Sequence, residues 1–185
     1  MAVPDTCTEL SVEQRQALYV ERRREDLARA VRAADSLTGV LALLGGRPVE
    51  LELGGRRERI RLTVEQRRLL DAAPDEWAQY RWGVLRDAAR HPVAYVEALV
   101  LLHRLPYETA TQLRDSDIPL GRALRRWGVR RHVQGQLHPI SEVDLAGAEL
   151  DMGITAVLDL ADGRSVAVVR ERLYKSFVDA YVQAS

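Results

Sequence analysis

Apolar residues recur at helical spacing through the N-terminal part of the chain. Between Leu18 and Val31 they line one face of a predicted helix, which Ser11 or Thr8 caps and whose centre, 21–26, is highly charged. Arginines and acidic residues are interleaved in that centre, which favours a solvated, salt-linked face over a nucleic-acid contact. A second helix is predicted over 36–45, because a capping pair precedes it and a glycine pair ends it.

The spacing changes to strict alternation from Val49 onwards. Apolar and charged positions alternate over 49–53 and again over 59–62, and Gly54-Gly55 lies between the two runs. This pattern is typical of a β-hairpin that turns at the two glycines. A cap at Thr63 then predicts a short helix that ends near Leu70.

Further strands and helices are predicted in the rest of the chain. Two strand-like runs joined by Arg90-His91-Pro92 predict an antiparallel pair, and Asp162-Gly163 between two apolar runs predicts a hairpin. The stretch 131–151 has no clear period. The predicted strands are 81–87, 93–102, 154–160 and 165–173, and the predicted helices are 110–113 and 122–127.

These elements predict an α+β fold, namely a single antiparallel sheet of about six strands with helices packed on one face. The chain is long enough for one substantial core and does not require a second domain. We expect an N-terminal helical extension over 1–24, one domain over 25–178 and a C-terminal tail over 179–185.

Composition and charge narrow the classes of function. The chain has 185 residues with 27 basic and 27 acidic side chains, so it lacks the positive charge of a general nucleic-acid binder. Cys7 is the only cysteine and the four histidines have no zinc-ligand spacing. Met1–Leu10 lacks a signal-peptide pattern, and no apolar run is long enough to span a bilayer. We expect a cytoplasmic protein with no nucleic-acid partner, no membrane partner and no bound metal.

Two acidic residues interrupt otherwise apolar strand faces. Alternation places Glu97 beside Tyr95 and Glu171 beside Val169. Burial disfavours a charged carboxylate, so the pKa of such a group rises toward a value useful for proton transfer. A sheet-edge position or a pairing with an arginine is the alternative for either acid. Arg81 lies on the preceding strand, where it could bind a ligand carboxylate through two parallel hydrogen bonds or remain solvated.

Proline and glycine mark the start of a short basic helix within Asp117–Leu124. Free backbone N–H groups at a helix start, with the positive end of the helix dipole behind them, favour a carboxylate or phosphate. The alternative is an ordinary turn, which a Pro-Leu-Gly tripeptide commonly forms.

The order of these features resembles a known family. Asp35-Ser36-Leu37-Thr38 follows a helix, strands come next, then Ile118-Pro119-Leu120-Gly121, and Glu171 lies in the last strand. This arrangement is similar to chorismate pyruvate-lyase and to related UTRA-type ligand-binding domains, over roughly 25–174. The resemblance implies that Arg81 binds a carboxylate and that Glu171 handles a proton. The backbone positions that it implies for orienting the ligand are Leu37, Thr38, Leu120 and Gly121.

The resemblance also implies a reaction, the elimination of pyruvate from chorismate to give 4-hydroxybenzoate without a metal or redox cofactor. One position departs from the family, because Glu97 stands where those lyases have a second arginine. This charge reversal leaves open a repurposed cyclase or tailoring enzyme of natural-product biosynthesis, in which Glu97 and Glu171 act as an acid–base pair. A non-catalytic effector-binding domain is the other alternative, although the N-terminal segment predicts one charged helix and not a helix-turn-helix. We expect an enzyme, a monomer or homodimer, that acts on a small carboxylated metabolite.

Overall fold

The structure is a computed structural model that describes residues 11–184. The alternative cap Thr8, the segment Met1–Leu10 and Cys7 therefore lie outside the described residues. The helices are α1 (Val12–Ala33), α2 (Leu37–Gly45), α3 (Val64–Leu70), α4 (Tyr107–Asp115), α5 (Leu120–Leu124) and α6 (Lys175–Gln183). The strands are β1 (Val49–Arg61), β2 (Trp77–Asp87), β3 (Pro92–Val100), β4 (Arg130–Val143), β5 (Glu149–Asp159) and β6 (Ser165–Tyr174).

The described strands form one antiparallel sheet in the order β1-β2-β3-β6-β5-β4. Two meanders, β1-β2-β3 and β4-β5-β6, are joined by the pairing of β3 with β6, in which Ala98 lies opposite Val169. The predicted α+β class with one antiparallel sheet is confirmed. The predicted hairpin between β5 and β6 is also present, with Gly163 at a φ of 87° in its turn.

The two faces of the sheet are covered differently. Register places Arg81, Ala98 and Val169 on one face, which we call the covered face, because α1, α2 and α6 pack on one part of it and α4 and α5 on another. Trp82 and Glu97 point to the opposite, open face, where α3 packs at one end. The helices thus lie mostly on one face, as the sequence predicts, and α3 is the exception.

Side-chain caps begin three helices where the sequence predicts them. Ser11, Ser36 and Thr63 accept hydrogen bonds from backbone N–H groups in the first turns of α1, α2 and α3, at 3.1, 3.4 and 3.2 Å. Gly46 ends α2 in the left-handed conformation, at a φ of 62°. Within residues 11–184, no helix is both long and apolar enough to cross a membrane.

The predicted hairpin at Gly54-Gly55 is wrong, because both glycines lie inside the single long strand β1. The Trp82 side chain of β2 packs directly against them: a Cβ on Gly54 would lie 2.8 Å from it, and a Cβ on Gly55 would lie 2.5 Å from it. A register shift between Leu53 and Gly55 accommodates this contact. The glycines therefore permit a close approach between strands and do not form a turn.

Strand β4 occupies the stretch for which no period was found. Its pairing with β5 shifts register between Gln134 and His138 and again after Pro139. The first shift adds two residues to β4 and keeps Val133 and Leu137 on one face, whereas the second adds one residue and exchanges the faces of the residues after it. The irregular pairing explains why this strand has no recognisable pattern in the sequence.

The C-terminal residues also differ from expectation. Helix α6 continues through residue 179, where the sequence predicts the start of a tail, and it buries Val178 and Val182 in the core on the covered face. The division into an N-terminal extension, a domain and a tail stays a prediction. Its boundary after residue 24 falls inside α1.

Candidate functional site

The covered face contains a cavity of about 800 Å³ between the α1, α2 and α6 group and the α4 and α5 group. Strands β1, β2, β3 and β6 contribute its floor, and α2, α5 and β4 contribute its walls. Much of the lining is apolar, with a few charged groups among it. The apolar lining includes Leu37, Val49, Leu51, Leu53, Leu85, Val96, Ala98, Leu120, Leu124, Leu158 and Val169.

Arg81 is the most completely enclosed cation in the floor, with 3% of its surface exposed. Its guanidinium donates hydrogen bonds to the backbone carbonyl oxygens of Leu113 and Ile118, the latter at 2.8 Å, and to the Gln79 side chain at 3.1 Å. Among the described residues, no carboxylate lies within the 4 Å of an ion pair. Burial lowers the pKa of Arg81 and the nearby Arg56 adds to this effect, whereas the charges of Asp117 and Glu58 act in the opposite direction. A fixed, buried cation with no carboxylate in direct contact attracts an anion.

Glu171 of β6 is part of the cavity lining and is almost fully buried. Burial raises the pKa of this carboxyl, although the charge and hydrogen bond of Arg131 act in the opposite direction. Arg131 of β4 donates to Glu171 Oε2, and 3% of its side chain is exposed. Glu171 and Arg131 therefore form a buried ion pair in the wall of the cavity.

The N-terminus of α2 forms another part of the wall. Ser36 caps this helix through the Gly39 N–H, and Leu37 and Thr38, the first residues of the helix, line the cavity. Backbone N–H groups and the positive end of the helix dipole therefore lie at the cavity.

The Pro-Leu-Gly motif lies on the opposite wall, where Pro119 precedes α5. Leu120 and Gly121 line the cavity, and a Cβ on Gly121 would meet nothing within 4 Å. The carbonyl oxygen of Ile118, just before the motif, accepts one of the Arg81 hydrogen bonds. The motif thus both borders the open space and fixes the buried guanidinium.

Glu97 also borders the cavity, but the structure separates its carboxylate from the other predicted site groups. Its carboxylate lies on the open face, where the Tyr80 hydroxyl donates to Oε1 and Arg172 donates to Oε2 at 2.6 Å. In the sheet register Glu97 lies opposite Arg170, whereas Glu171 lies opposite Val96. The side chains of Glu97 and Glu171 therefore point to opposite faces, and the predicted acid–base pair is not formed.

The other predicted site residues come together around one cavity. Arg81, Glu171, Leu37, Thr38, Leu120 and Gly121 all belong to its lining. Arg86, a second arginine of β2, pairs with Glu52 at 2.9 Å. Arg131 is a charged cavity residue that the sequence does not reveal, because it lies in the irregularly paired strand β4 and its partner Glu171 is 40 positions away.

Comparisons with known proteins identify the fold. No family model matches the chain, and no curated protein matches it. The effector domain of PhnF from Mycobacterium smegmatis is similar over 77% of this chain and 90% of its own, with 13% identity and a TM-score of 0.60. The structure of PhnF itself matches over 78% of this chain with 13% identity and a TM-score of 0.61, and the chain spans only 65% of that protein. A GntR-family transcriptional regulator from Bacillus cereus matches over 69% of this chain and 92% of its own, with 14% identity and a TM-score of 0.50.

The likeness shows that this chain has the UTRA-type, chorismate-lyase-like fold. It also corrects the expected function, because these neighbours are a regulator's effector domain and regulators. The expectation of a lyase or cyclase, with a role in 4-hydroxybenzoate biosynthesis, is wrong on this finding. The effector-binding alternative fits the comparisons better.

Proposed function

We propose that this chain is a non-catalytic effector-binding domain whose cavity takes a small carboxylated or otherwise anionic metabolite. The observation that carries the proposal is Arg81, a buried cation in the cavity floor whose described neighbours supply carbonyl oxygens and no carboxylate. A ligand anion would neutralise this charge and accept the guanidinium hydrogen bonds that remain available. The N–H groups of Leu37 and Thr38 at the start of α2 would add to its binding.

Glu171 supports a second feature of the ligand. Within the described part of the chain, Arg131 is the one group that donates a hydrogen bond to this buried carboxylate. A carboxylate can accept several hydrogen bonds, so a hydroxyl or ammonium group on the ligand would satisfy its remaining capacity. We therefore infer a ligand with an anionic group for Arg81 and a donor group for Glu171.

The apolar walls support a hydrophobic ligand body between these two groups. Leucine and valine side chains from β1, β3 and α5 line the space, and burial of apolar surface supplies much of the affinity in such pockets. The volume of about 800 Å³ is in the range of small-molecule sites. Leu120 and Gly121 would contact this body of the ligand.

The neighbours suggest the wider role of such a domain. Their names describe an effector domain and transcriptional regulators, and this chain spans 65% of the full PhnF structure. We infer that ligand binding in this chain regulates an attached or associated function, which in those proteins is transcription.

Matched fragments test the ligand class directly. We would titrate 4-(aminomethyl)benzoate, benzoate and benzylamine by calorimetry, because they share a ring and differ in which charged groups they carry. The first should bind most tightly and benzylamine most weakly. Arg81→Lys should weaken both benzoates by about tenfold or more, because lysine cannot form the planar two-point contact. Arg57→Lys is the control, since Arg57 stacks on Trp82 and its strand forms the sheet edge.

Equal binding of all three fragments, or an Arg81→Lys variant that binds as the wild type does, would contradict the proposed ligand class. The absence of catalysis has its own test. Purified protein incubated with chorismate should release no pyruvate above the rate in buffer, as followed by chromatography. Pyruvate release that Glu171→Gln abolishes would overturn the non-catalytic assignment.

A further inference from the structure

Arg131 connects the cavity to the end of α1. One of its terminal nitrogens donates to Glu171 in the cavity wall. The other donates to the backbone carbonyl oxygens of Val31 and Ala34, at 3.1 and 3.2 Å. The same guanidinium is therefore shared between a cavity carboxylate and the last turn of a helix.

These carbonyls belong to a helix end that depends on Arg131. Ala34 follows α1 in an extended conformation, with φ −78° and ψ 139°, so the final carbonyl groups have no next turn to bond with. A cation at a helix C-terminus is favourable because it interacts with the negative end of the helix dipole. The next residues, Asp35 and Ser36, already line the cavity. The α1–α2 junction, residues 34–36, is thus cavity wall on one side and helix end on the other.

Helix α1 is anchored at its C-terminal half and exposed at its start. Leu27 and Val31 are fully buried, whereas residues 11–19 are all exposed. Arg23 donates to the Tyr181 carbonyl at 2.8 Å, and Arg24 pairs with Asp151 at 2.5 Å, which fixes the middle of the helix. The exposed first half of α1 is therefore attached to the rest of the molecule through its buried second half.

We propose that Arg131 is a positioning residue that couples occupancy of the cavity to the C-terminal anchorage of α1. This inference rests on the proposed function, since it requires a ligand near Glu171. A ligand group that donates to a remaining lone pair of Glu171 neutralises part of its charge and so weakens its attraction for Arg131. The guanidinium then interacts more strongly with the Val31 and Ala34 carbonyls, and the end of α1 becomes more firmly held.

Hydrogen–deuterium exchange of the whole chain tests the coupling without any ligand. Glu171→Gln removes the negative charge that attracts the guanidinium of Arg131. Glu171 itself has no hydrogen bond to α1 among the described residues. The variant should slow exchange of the peptide over residues 27–36 by up to about tenfold, the effect of one charge-assisted hydrogen bond. Arg131→Lys should speed exchange of the same peptide, and the double variant should exchange as Arg131→Lys alone does.

The peptide over residues 63–71 is the internal control, because α3 packs on the other face of the sheet. Unchanged exchange there shows that each variant is folded. If Glu171→Gln leaves residues 27–36 as in the wild type while Arg131→Lys alters them, Arg131 is only a helix cap and the coupling is wrong. Additive effects of the two changes would also overturn it.

A ligand arm separates this inference from the proposed function. With 4-(aminomethyl)benzoate at saturation, exchange over residues 27–36 should slow in the wild type and should slow less in Arg131→Lys. Equal slowing in both proteins would contradict the coupling. Failure of this fragment to bind in calorimetry would count against the proposed ligand class, and the exchange of the unliganded variants would still decide the role of Arg131.

Discussion

Glu171 and Glu97 lie on adjacent strands of one sheet, yet the sheet gives them opposite environments. Glu171 points to the covered face, almost fully buried against the cavity, and Arg131 is its one hydrogen-bond donor among the described residues. Glu97 points to the open face, where 18% of its side chain is exposed and where Tyr80 and Arg172 both bond it. The sequence surroundings of the two acids are similar, so the difference comes from what packs on each face.

This contrast shows which charges are available to a ligand. On the covered face, helices enclose Arg81 and the Arg131–Glu171 pair around an open volume, and their bonding capacity is not exhausted by described residues. On the open face, Arg172 also pairs with Glu142 at 3.0 Å, so that network is complete within itself. A charged residue on an apolar strand face is a candidate binding group only where the opposing layer leaves a space.

The largest difference in stability between the two faces should appear when the arginine partner of each glutamate is removed. Arg131→Met leaves Glu171 as an uncompensated buried charge, and we expect a loss of about 3–5 kcal/mol in the free energy of unfolding. Arg172→Met on the open face should cost less, about 2 kcal/mol, because Tyr80 still donates a hydrogen bond to the partly exposed Glu97. Urea denaturation measures both values.

A second variant distinguishes loss of charge balance from loss of packing. Arg131→Met combined with Glu171→Leu should recover most of the lost stability, since an apolar pair has no unpaired charge. Equal losses for Arg131→Met and Arg172→Met would mean that the two faces do not differ in the way described.

Glycine substitutions compare the packed side of β1 with the wall of the cavity. Gly55→Ala places a methyl group in the volume of the Trp82 ring, and overpacking of this kind should cost about 1–3 kcal/mol. Gly121→Ala faces open space and should change stability by about 0.5 kcal/mol or less. Thermal unfolding of the two variants is the measurement. A Gly55→Ala protein as stable as Gly121→Ala would show that the tryptophan can move aside.

The dependence of stability on pH should have opposite signs for two glutamates. The folded-state pKa of Glu171 is raised above 4.5, so the folded protein holds the proton more tightly, and this contribution is lost as pH rises from 4.5 through the folded pKa. The pKa of Glu76 is lowered to about 2, because hydrogen bonds from Arg104 and His103 outweigh the effect of burial. Its contribution is present above pH 4.5 and is lost as pH falls toward 2.

Urea midpoints measured between pH 3 and pH 8 check the signs of both pH dependences. The proteins compared are the wild type, Glu171→Gln and Glu76→Gln. Each unit of pKa difference between the folded and unfolded states corresponds to about 1.4 kcal/mol of stability. Glu171→Gln should remove the loss above pH 4.5, and Glu76→Gln should remove the loss at acid pH. An unchanged profile in either variant would refute the corresponding assignment.

The smallest effects should come from Glu97 itself. Glu97→Gln keeps the shape of the side chain and retains a hydrogen-bonding partner for Arg172 and Tyr80, so we expect a loss of about 1 kcal/mol or less. Calorimetry with 4-(aminomethyl)benzoate should give the wild-type affinity. A marked loss of affinity in this variant would place Glu97 in the site after all.

Much of the cavity could be predicted because its residues lie on regular elements. Alternation along β2 and β6 identifies the inward face of Arg81 and Glu171, and cap signals locate Leu37. Arg131 could not be found in this way, since β4 has few apolar residues to mark its inward face and its pairing with β5 is interrupted after Gln134. The pairing of Glu97 with Glu171 was predicted wrongly. Alternation shows which residues of one strand share a face, but it does not show which face of the neighbouring strand lies on the same side of the sheet.

The fold class was also predictable from the regular elements. The two wrong predictions, the hairpin at Gly54-Gly55 and the activity, have identifiable causes. A glycine pair between alternating runs is typical of a hairpin, and the bulky partner Trp82 that requires those glycines lies in another strand. The comparison with lyases gave the correct fold and the wrong activity, because one fold can carry both catalytic and purely binding sites.

The strand order has a consequence for how the molecule assembles. Each meander forms from neighbouring segments, whereas the β3–β6 pairing joins residues about 70 positions apart, such as Ala98 and Val169. Arg81 belongs to the first meander, and Glu171 and Arg131 belong to the second. The cavity therefore requires that the two halves meet, and their pairing closes the longest loop between any two paired strands of the described sheet. A bound ligand would hold that seam closed and would slow the separation of the halves.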